Sequence, residues 1–192
     1  MQMGFYFDQT RCTGCFTCSV ACKDWHDIPA GQTNWLRVME IEKGKFPNVF
    51  VAYLVTGCWH CANPACVTAC PVGAISKRQE DGVVVVDQEI CLGKDNCDMC
   101  LQACSYEAPQ FGTEQNAKMQ KCNFCIDRLA EGKYPICVEA CPMRALDAGP
   151  LDQLMSKYGQ SRDAEGFVHS AELDPSVVFN PKLALAPYGG FL

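Results

Sequence analysis

The sequence predicts an α+β fold built from two related halves, on three observations. Sixteen cysteines in 192 residues fall into four groups of four, with none left over. The segment DQTRCTGC from Asp8 resembles DQEICLGK from Asp87, and CVTACPVGAI from Cys66 resembles CVEACPMRAL from Cys137, so the chain repeats itself. Short β-rich runs stand before cysteine groups, with turn residues between the segments.

In chain order, Phe5 to Phe7 reads as a strand leading into CTGCFTCSVAC, the first group, with Cys12, Cys15, Cys18 and Cys22. Residues 24–57 form an insertion whose runs WLRVMEIE and NVFVAYLV are expected to pair as a hairpin over a metal site. The second group, CWHCANPACVTACP, holds Cys58, Cys61, Cys66 and Cys70. GAISKR and GVVVVD then read as a hairpin about QEDG, with Val83 to Val86 as its second strand. Cys91, Cys97, Cys100 and Cys104 form the third group, and Cys122, Cys125, Cys137 and Cys141 the fourth. Each group is expected to end on a short helix, with Pro64 and Pro135 in two of the first turns. PLDQLMSKYG reads as a helix. Residues 163–192 contain Pro175, Pro181 and Pro187 but no cysteine, and read as a strap along a partner.

So many cysteines would suit a disulfide scaffold in a small secreted chain. The opening MQMGFYFDQTRC, however, has no basic, apolar or cleavage region of a secretion signal, so the thiols are expected to be reduced or metal-bound. No run approaches the ~18 apolar residues of a membrane span. A formal charge of −6 and the lack of a basic stripe argue against nucleic acid as a partner.

Spacings of two, two and three residues in the first group match the ferredoxin run that wraps a [4Fe–4S] cube and gives its fourth cysteine to another cluster. Three closely spaced thiolates can curl around three iron corners, while the fourth points away. Zinc held by four cysteines is the structural alternative, but it usually pairs two CxxC knuckles across a longer spacer. Four thiolates leave no open iron for a substrate, so the chemistry expected is single-electron transfer, with no catalytic residue. His60, within CWHC, is the only histidine that spacing places against a cluster; His26 and His169 have no motif partners. Such clusters carry about −2 when oxidised and about −3 when reduced. Arg11, Lys23, Lys77, Arg78, Lys121, Arg128 and Arg144 stand beside cysteine groups, most of them expected as solvated surface charges. Trp25, Trp59 and Tyr134 are expected as shielding core.

The third group breaks the pattern, with five residues between Cys91 and Cys97. An insertion of Lys94, Asp95 and Asn96 restores the alignment better than loss of a ligand would. The expectation is that Cys91 is a ligand and that this polar loop points outward, with Gly93 permitting its turn.

The group order, with RCTGCFTCSVACKD, QEDGVVVVD, EAPQF and CIDRLAEGKYPICVEACPMRALDAGPLDQL, resembles the iron–sulfur β subunit of dimethyl-sulfoxide-reductase-type molybdoenzymes over about residues 3–155. The resemblance implies two interlocked ferredoxin-like lobes and four [4Fe–4S] clusters: Cys12, Cys15, Cys18 with Cys141; Cys58, Cys61, Cys66 with Cys104; Cys91, Cys97, Cys100 with Cys70; and Cys122, Cys125, Cys137 with Cys22. Residues 1–23 with 105–149 would form one lobe, 58–104 the other, 24–57 the inserted hairpin, and 150–192 a helix and partner-binding tail. It also implies a large catalytic subunit with a molybdenum or tungsten bis-pterin cofactor, often with a membrane anchor or another redox partner. The location would then follow the partner: the cytoplasm or the cytoplasmic membrane face, or the periplasm by co-export with a twin-arginine partner. A polyferredoxin-like carrier, or an accessory subunit of a hydrogenase or formate dehydrogenase, is the alternative function.

Overall fold

A computed structural model describes residues 1–183. Its elements run β1 (Met3–Asp8), α1 (Thr17–Trp25), β2 (Leu36–Lys45), β3 (Asn48–Gly57), α2 (Ala65–Thr68), β4 (Ile75–Lys77), β5 (Val84–Val86), α3 (Met99–Gln102), β6 (Gln110–Phe111), β7 (Met119–Gln120), α4 (Ile126–Ala130), α5 (Ile136–Glu139), β8 (Leu146–Pro150), α6 (Leu151–Tyr158) and β9 (Val177–Asn180). The mixture of short helices and small sheets is the expected α+β class.

The internal repeat is visible atom by atom. Asp8 Oδ1 accepts the Thr10 N–H at 2.9 Å, and Asp87 Oδ1 accepts the Glu89 N–H at 2.9 Å, so both DQ segments turn in the same way. β4 pairs antiparallel with β5 (Ile75 opposite Val86), the hairpin expected about QEDG. The helices are shorter than expected. α2, α3 and α5 are single turns that stop before their group's last cysteine, whereas α1 continues beyond Cys22. Pro64 and Pro135 stand one residue before α2 and α5, where their fixed φ leads the backbone into the turn.

β1 is the centre of a three-stranded sheet. β8 lies antiparallel on one side (Phe5 opposite Ala148), and β9 lies parallel on the other (Phe5 opposite Val177). This corrects the reading of the tail. Up to Asn180 it packs on its own chain: Val177, Val178 and Phe179 are fully or almost fully buried, and the Phe179 ring meets Phe167 at 4.7 Å and Trp59 at 6.0 Å between centroids. A four-residue strand buried on both faces shows no alternation, so the sequence carries little sign of it. Residues 184–192 of the expected tail, with Pro187, lie outside the described residues. α6 rests on the outer face of this sheet, where Tyr158 stacks on Tyr6 at 3.6 Å.

β2 and β3 form the inserted hairpin, in register from Leu36 opposite Gly57 to Lys45 opposite Asn48. Its base, Val38, Leu54 and Val55, joins the main core with Phe5, Phe7 and Phe124. Each fully buried aromatic of that set contributes roughly 1.5–3 kcal/mol of apolar transfer. Pairing of the helices brings distant cysteine runs together, because α1 packs against α5 and α2 against α3.

Candidate metal centres

All sixteen cysteines are free thiols, and they gather into four quartets. Cys12, Cys15, Cys18 and Cys141 line one hollow, walled by Phe7, Val38, Val55 and Leu146. Cys70, Cys91, Cys97 and Cys100 line another, walled by Ile75, Val86 and Met119. The other two quartets are seen in the mutual influence of their thiols. Cys61 is pushed up to about 12, chiefly by burial, with Cys58, Cys104 and Cys66 adding to it. Cys137 is raised well above its ordinary value by burial, then by Cys122, Cys22 and Cys125.

One turn recurs three times to aim the last cysteine of a group. In CPVGA, CSYEA and CPMRA the residue three after the cysteine takes a left-handed conformation (Gly73, Glu107, Arg144). The backbone N–H four residues on then points at the sulfur: Ala74 at Cys70 (3.2 Å), Ala108 at Cys104 (3.5 Å) and Ala145 at Cys141 (3.3 Å). An N–H aimed at sulfur favours the thiolate form that binds metal. Within CTGC, Gly14 has φ +67°, and the Tyr53 ring lies where a side chain would be. Only glycine fits there.

The quartets also adjoin one another. Cys18 bears on Cys137, joining the first quartet to that of Cys22, Cys122, Cys125 and Cys137. Cys58 bears on Cys122, joining the latter to the quartet of Cys58, Cys61, Cys66 and Cys104. Cys100 bears on Cys66 and brings in the quartet of Cys70 and Cys91. Cys15 is the exposed member, its thiol lowered chiefly by the Thr17 hydroxyl.

Several charged and aromatic residues sit otherwise than expected. Lys121 is 3% exposed and Arg128 6% exposed, so neither is a solvated charge. Arg128 Nε donates to the Tyr134 carbonyl (2.8 Å), its guanidinium pairs with Glu139, and it lies over the Trp25 ring at 4.5 Å. Lysines hold cysteine loops by their carbonyls: Lys77 that of Cys61 (2.9 Å), Lys118 that of Cys91 (2.6 Å) and Lys121 that of Cys122 (3.0 Å). Trp59 is core as expected, but Trp25 and Tyr134 are about half exposed, because they cap the Arg128 clamp from outside. His60 is not the only histidine near a quartet. His26 Nε2 lies 3.3 Å from Cys125 Sγ, with its ring against Trp35 at 4.6 Å. Burial lowers the His26 pKa, with Asp127 and Asp27 opposing. The two residues are 99 positions apart, a distance at which no motif operates.

The loop of Lys94, Asp95 and Asn96 is exposed, as expected, and Gly93 opens it at φ +83°. The Cys97 N–H closes it on the Gly93 carbonyl at 2.9 Å, while Cys91 stays on the wall of its hollow.

The donor set fits iron–sulfur cubes. Nε1 of Trp59 and Nε2 of His60 are buried without an acceptor among the described residues, although such groups are almost always paired. A sulfur-rich cluster offers acceptors there.

Comparison with known proteins agrees. A family described as "4Fe-4S dicluster domain" matches residues 49–151, and a second of the same description matches residues 11–74. The B subunit of the anaerobic dimethyl sulfoxide reductase of Escherichia coli is 44% identical over 98% of this sequence and 93% of its own length. The same-named protein of Haemophilus influenzae is 43% identical, covering 97% and 89%. The thiosulfate reductase electron transfer subunit PhsB of Salmonella typhi is 40% identical, covering 76% and 74%. The protein binds four [4Fe–4S] clusters, and it belongs to the family of iron–sulfur electron-transfer subunits that includes the B subunits of the anaerobic dimethyl sulfoxide reductases.

Proposed function

We propose that the protein passes single electrons along four clusters between a catalytic subunit carrying a molybdenum or tungsten bis-pterin cofactor and a membrane anchor or other redox partner. The observation that carries this reading is the set of four adjoining cysteine quartets, each drawn from two separate runs. The ligands would be Cys12, Cys15, Cys18 and Cys141; Cys22, Cys122, Cys125 and Cys137; Cys58, Cys61, Cys66 and Cys104; and Cys70, Cys91, Cys97 and Cys100, in that order along the path. Each cluster, when bound, supplies a one-electron carrier. The protein's part is to hold it with four thiolates, so that no iron is open to a substrate, and to keep water out with apolar walls. The two lobes, 1–23 with 105–149 and 58–104, would interlock, since the exchange of last cysteines makes each lobe complete only through its second run.

The relatives are named for dimethyl sulfoxide and for thiosulfate, so a subunit of this kind serves more than one substrate; the choice belongs to the catalytic partner. The location follows that partner too. Among the described residues no helix is long and apolar enough to cross a membrane. Native purification tests the reading. It should bring down a pterin-containing partner together with about 16 irons on this subunit, four for each cluster. Recovery of a loaded, freely diffusing monomer that reduces several unrelated acceptors would overturn it in favour of a general carrier.

A further inference from the structure

Val84, in β5, ties together two buried polar groups. Its N–H donates to Nδ1 of His60 at 3.0 Å, and its carbonyl accepts from Nζ of Lys121. Lys121 donates also to the Cys122 carbonyl at 3.0 Å. His60 is fully buried and Lys121 nearly so.

Among the described residues, Lys121 has no anionic partner: it enters none of the ion pairs. Asp87 and Glu89 share the groove that Lys121 lines, but they stand outside ion-pair reach. A buried ammonium with only carbonyls for company is strongly disfavoured unless an anion faces it. Because Nδ1 of His60 accepts a hydrogen bond, the proton of the neutral ring sits on Nε2. That N–H has no acceptor among the described residues. One seam therefore holds a cation without an anion and a donor without an acceptor.

The seam lies where two quartets meet. Lys121 adjoins Cys122, and Val84, whose carbonyl it holds, belongs to the apolar cluster against which Cys66 packs. His60 stands between Cys58 and Cys61. A four-thiolate cluster is the anionic acceptor that would complete both groups, and it becomes more negative on reduction. We propose that Lys121 and His60 raise the reduction potential of the cluster held by Cys58, Cys61, Cys66 and Cys104, Lys121 as a fixed positive charge and His60 as a hydrogen-bond donor to sulfur. The step adds one electron to the cluster and moves no proton. This rests on the ligand assignment proposed above.

Redox titration of the purified complex, followed by electron paramagnetic resonance, tests the two readings separately. Cys104→Ser marks the signal of the cluster in question; if it leaves four intact four-iron signals, the ligand assignment is wrong. Lys121→Met should move the marked midpoint, and that one most, to lower potential, with Lys121→Arg returning it toward the wild-type value. His60→Gln should move it in the same direction by less. A loaded Lys121→Met complex with all midpoints unmoved, or with a different cluster moved, overturns the proposal. Where Lys121→Met fails to hold the marked cluster, retention in Lys121→Arg supports the need for charge, and loss in both variants overturns it.

Discussion

Replacing Phe179 by alanine tests whether the C-terminal strand belongs to this protein's own core. Phe179 is 1% exposed and packs on Phe167 and Trp59. Truncating a buried phenylalanine costs about 3–5 kcal/mol in lost transfer energy and residual cavity. β9 is an edge strand of its sheet, so its surroundings can partly collapse, and the lower end of that range, about 3 kcal/mol, applies. For a protein of this size each kcal/mol shifts the midpoint by about 2–4 °C, so the apparent unfolding temperature should fall by roughly 6–12 °C. The assay is loss of far-ultraviolet circular dichroism and of visible cluster absorption, at one scan rate, since unfolding that releases iron is irreversible. Val168→Ala is the control: Val168 is 81% exposed, and its change should stay within about 0.5 kcal/mol. If Phe179→Ala unfolds alongside Val168→Ala, the tail is held by a partner and the account of β9 is wrong.

Cys91→Ser should convert one four-iron cluster to a three-iron form and lower the iron content from about 16 to about 15. A full set of four-iron signals in that variant would mean that Cys91 is not a ligand. His26→Leu removes the Nε2 that faces Cys125; where that nitrogen carries the ring proton and donates to sulfur, its loss should lower the potential of that cluster. If the bond favours the reduced state by about 1 kcal/mol over the oxidised state, the change is roughly 40 mV, readable by the same redox titration; an unmoved midpoint would assign His26 to packing alone. Stripping the iron with chelator and reductant should abolish near-ultraviolet circular dichroism and amide-exchange protection, because the clusters fill hollows that buried, protonated thiols cannot. Retention of native protection in the iron-free protein would show that apolar packing suffices.

The cysteine groups, the repeat and the inserted hairpin were legible because each is written in local spacing: two- and three-residue gaps, a shared DQ turn, and two β-rich runs about a short loop. The outward loop at Lys94 was legible for the same reason, since an insertion leaves the flanking ligands in register. What escaped depends on contacts between distant residues. β9 has four residues and no alternation, and its partner strand lies at the other end of the sequence. His26 reaches Cys125 only because α1 and α4 are folded together. Lys121 and Arg128 look like surface charges in a sequence, since such residues are almost never fully buried unless paired. Their burial follows from the carbonyls, the carboxylate and the ring that the fold places around them.

The position of β1 between β8 and β9 also sets an order of events during synthesis. The central strand of the main sheet precedes both of its neighbours in the sequence, and neither exists until residues 146–150 and 177–180 have been made. At about 5–20 residues per second, the 142 residues between Asp8 and Pro150 take roughly 7–28 s. For that time Phe5 and Phe7 have no complete strand to pair with, and for most of it the first quartet, as proposed, lacks Cys141. On the proposed ligand assignment, the first quartet cannot close around its cluster until Cys141 has been made. Polypeptides arrested on the ribosome before residue 141 should accordingly lack the cluster of the first quartet, however much iron and sulfide are supplied.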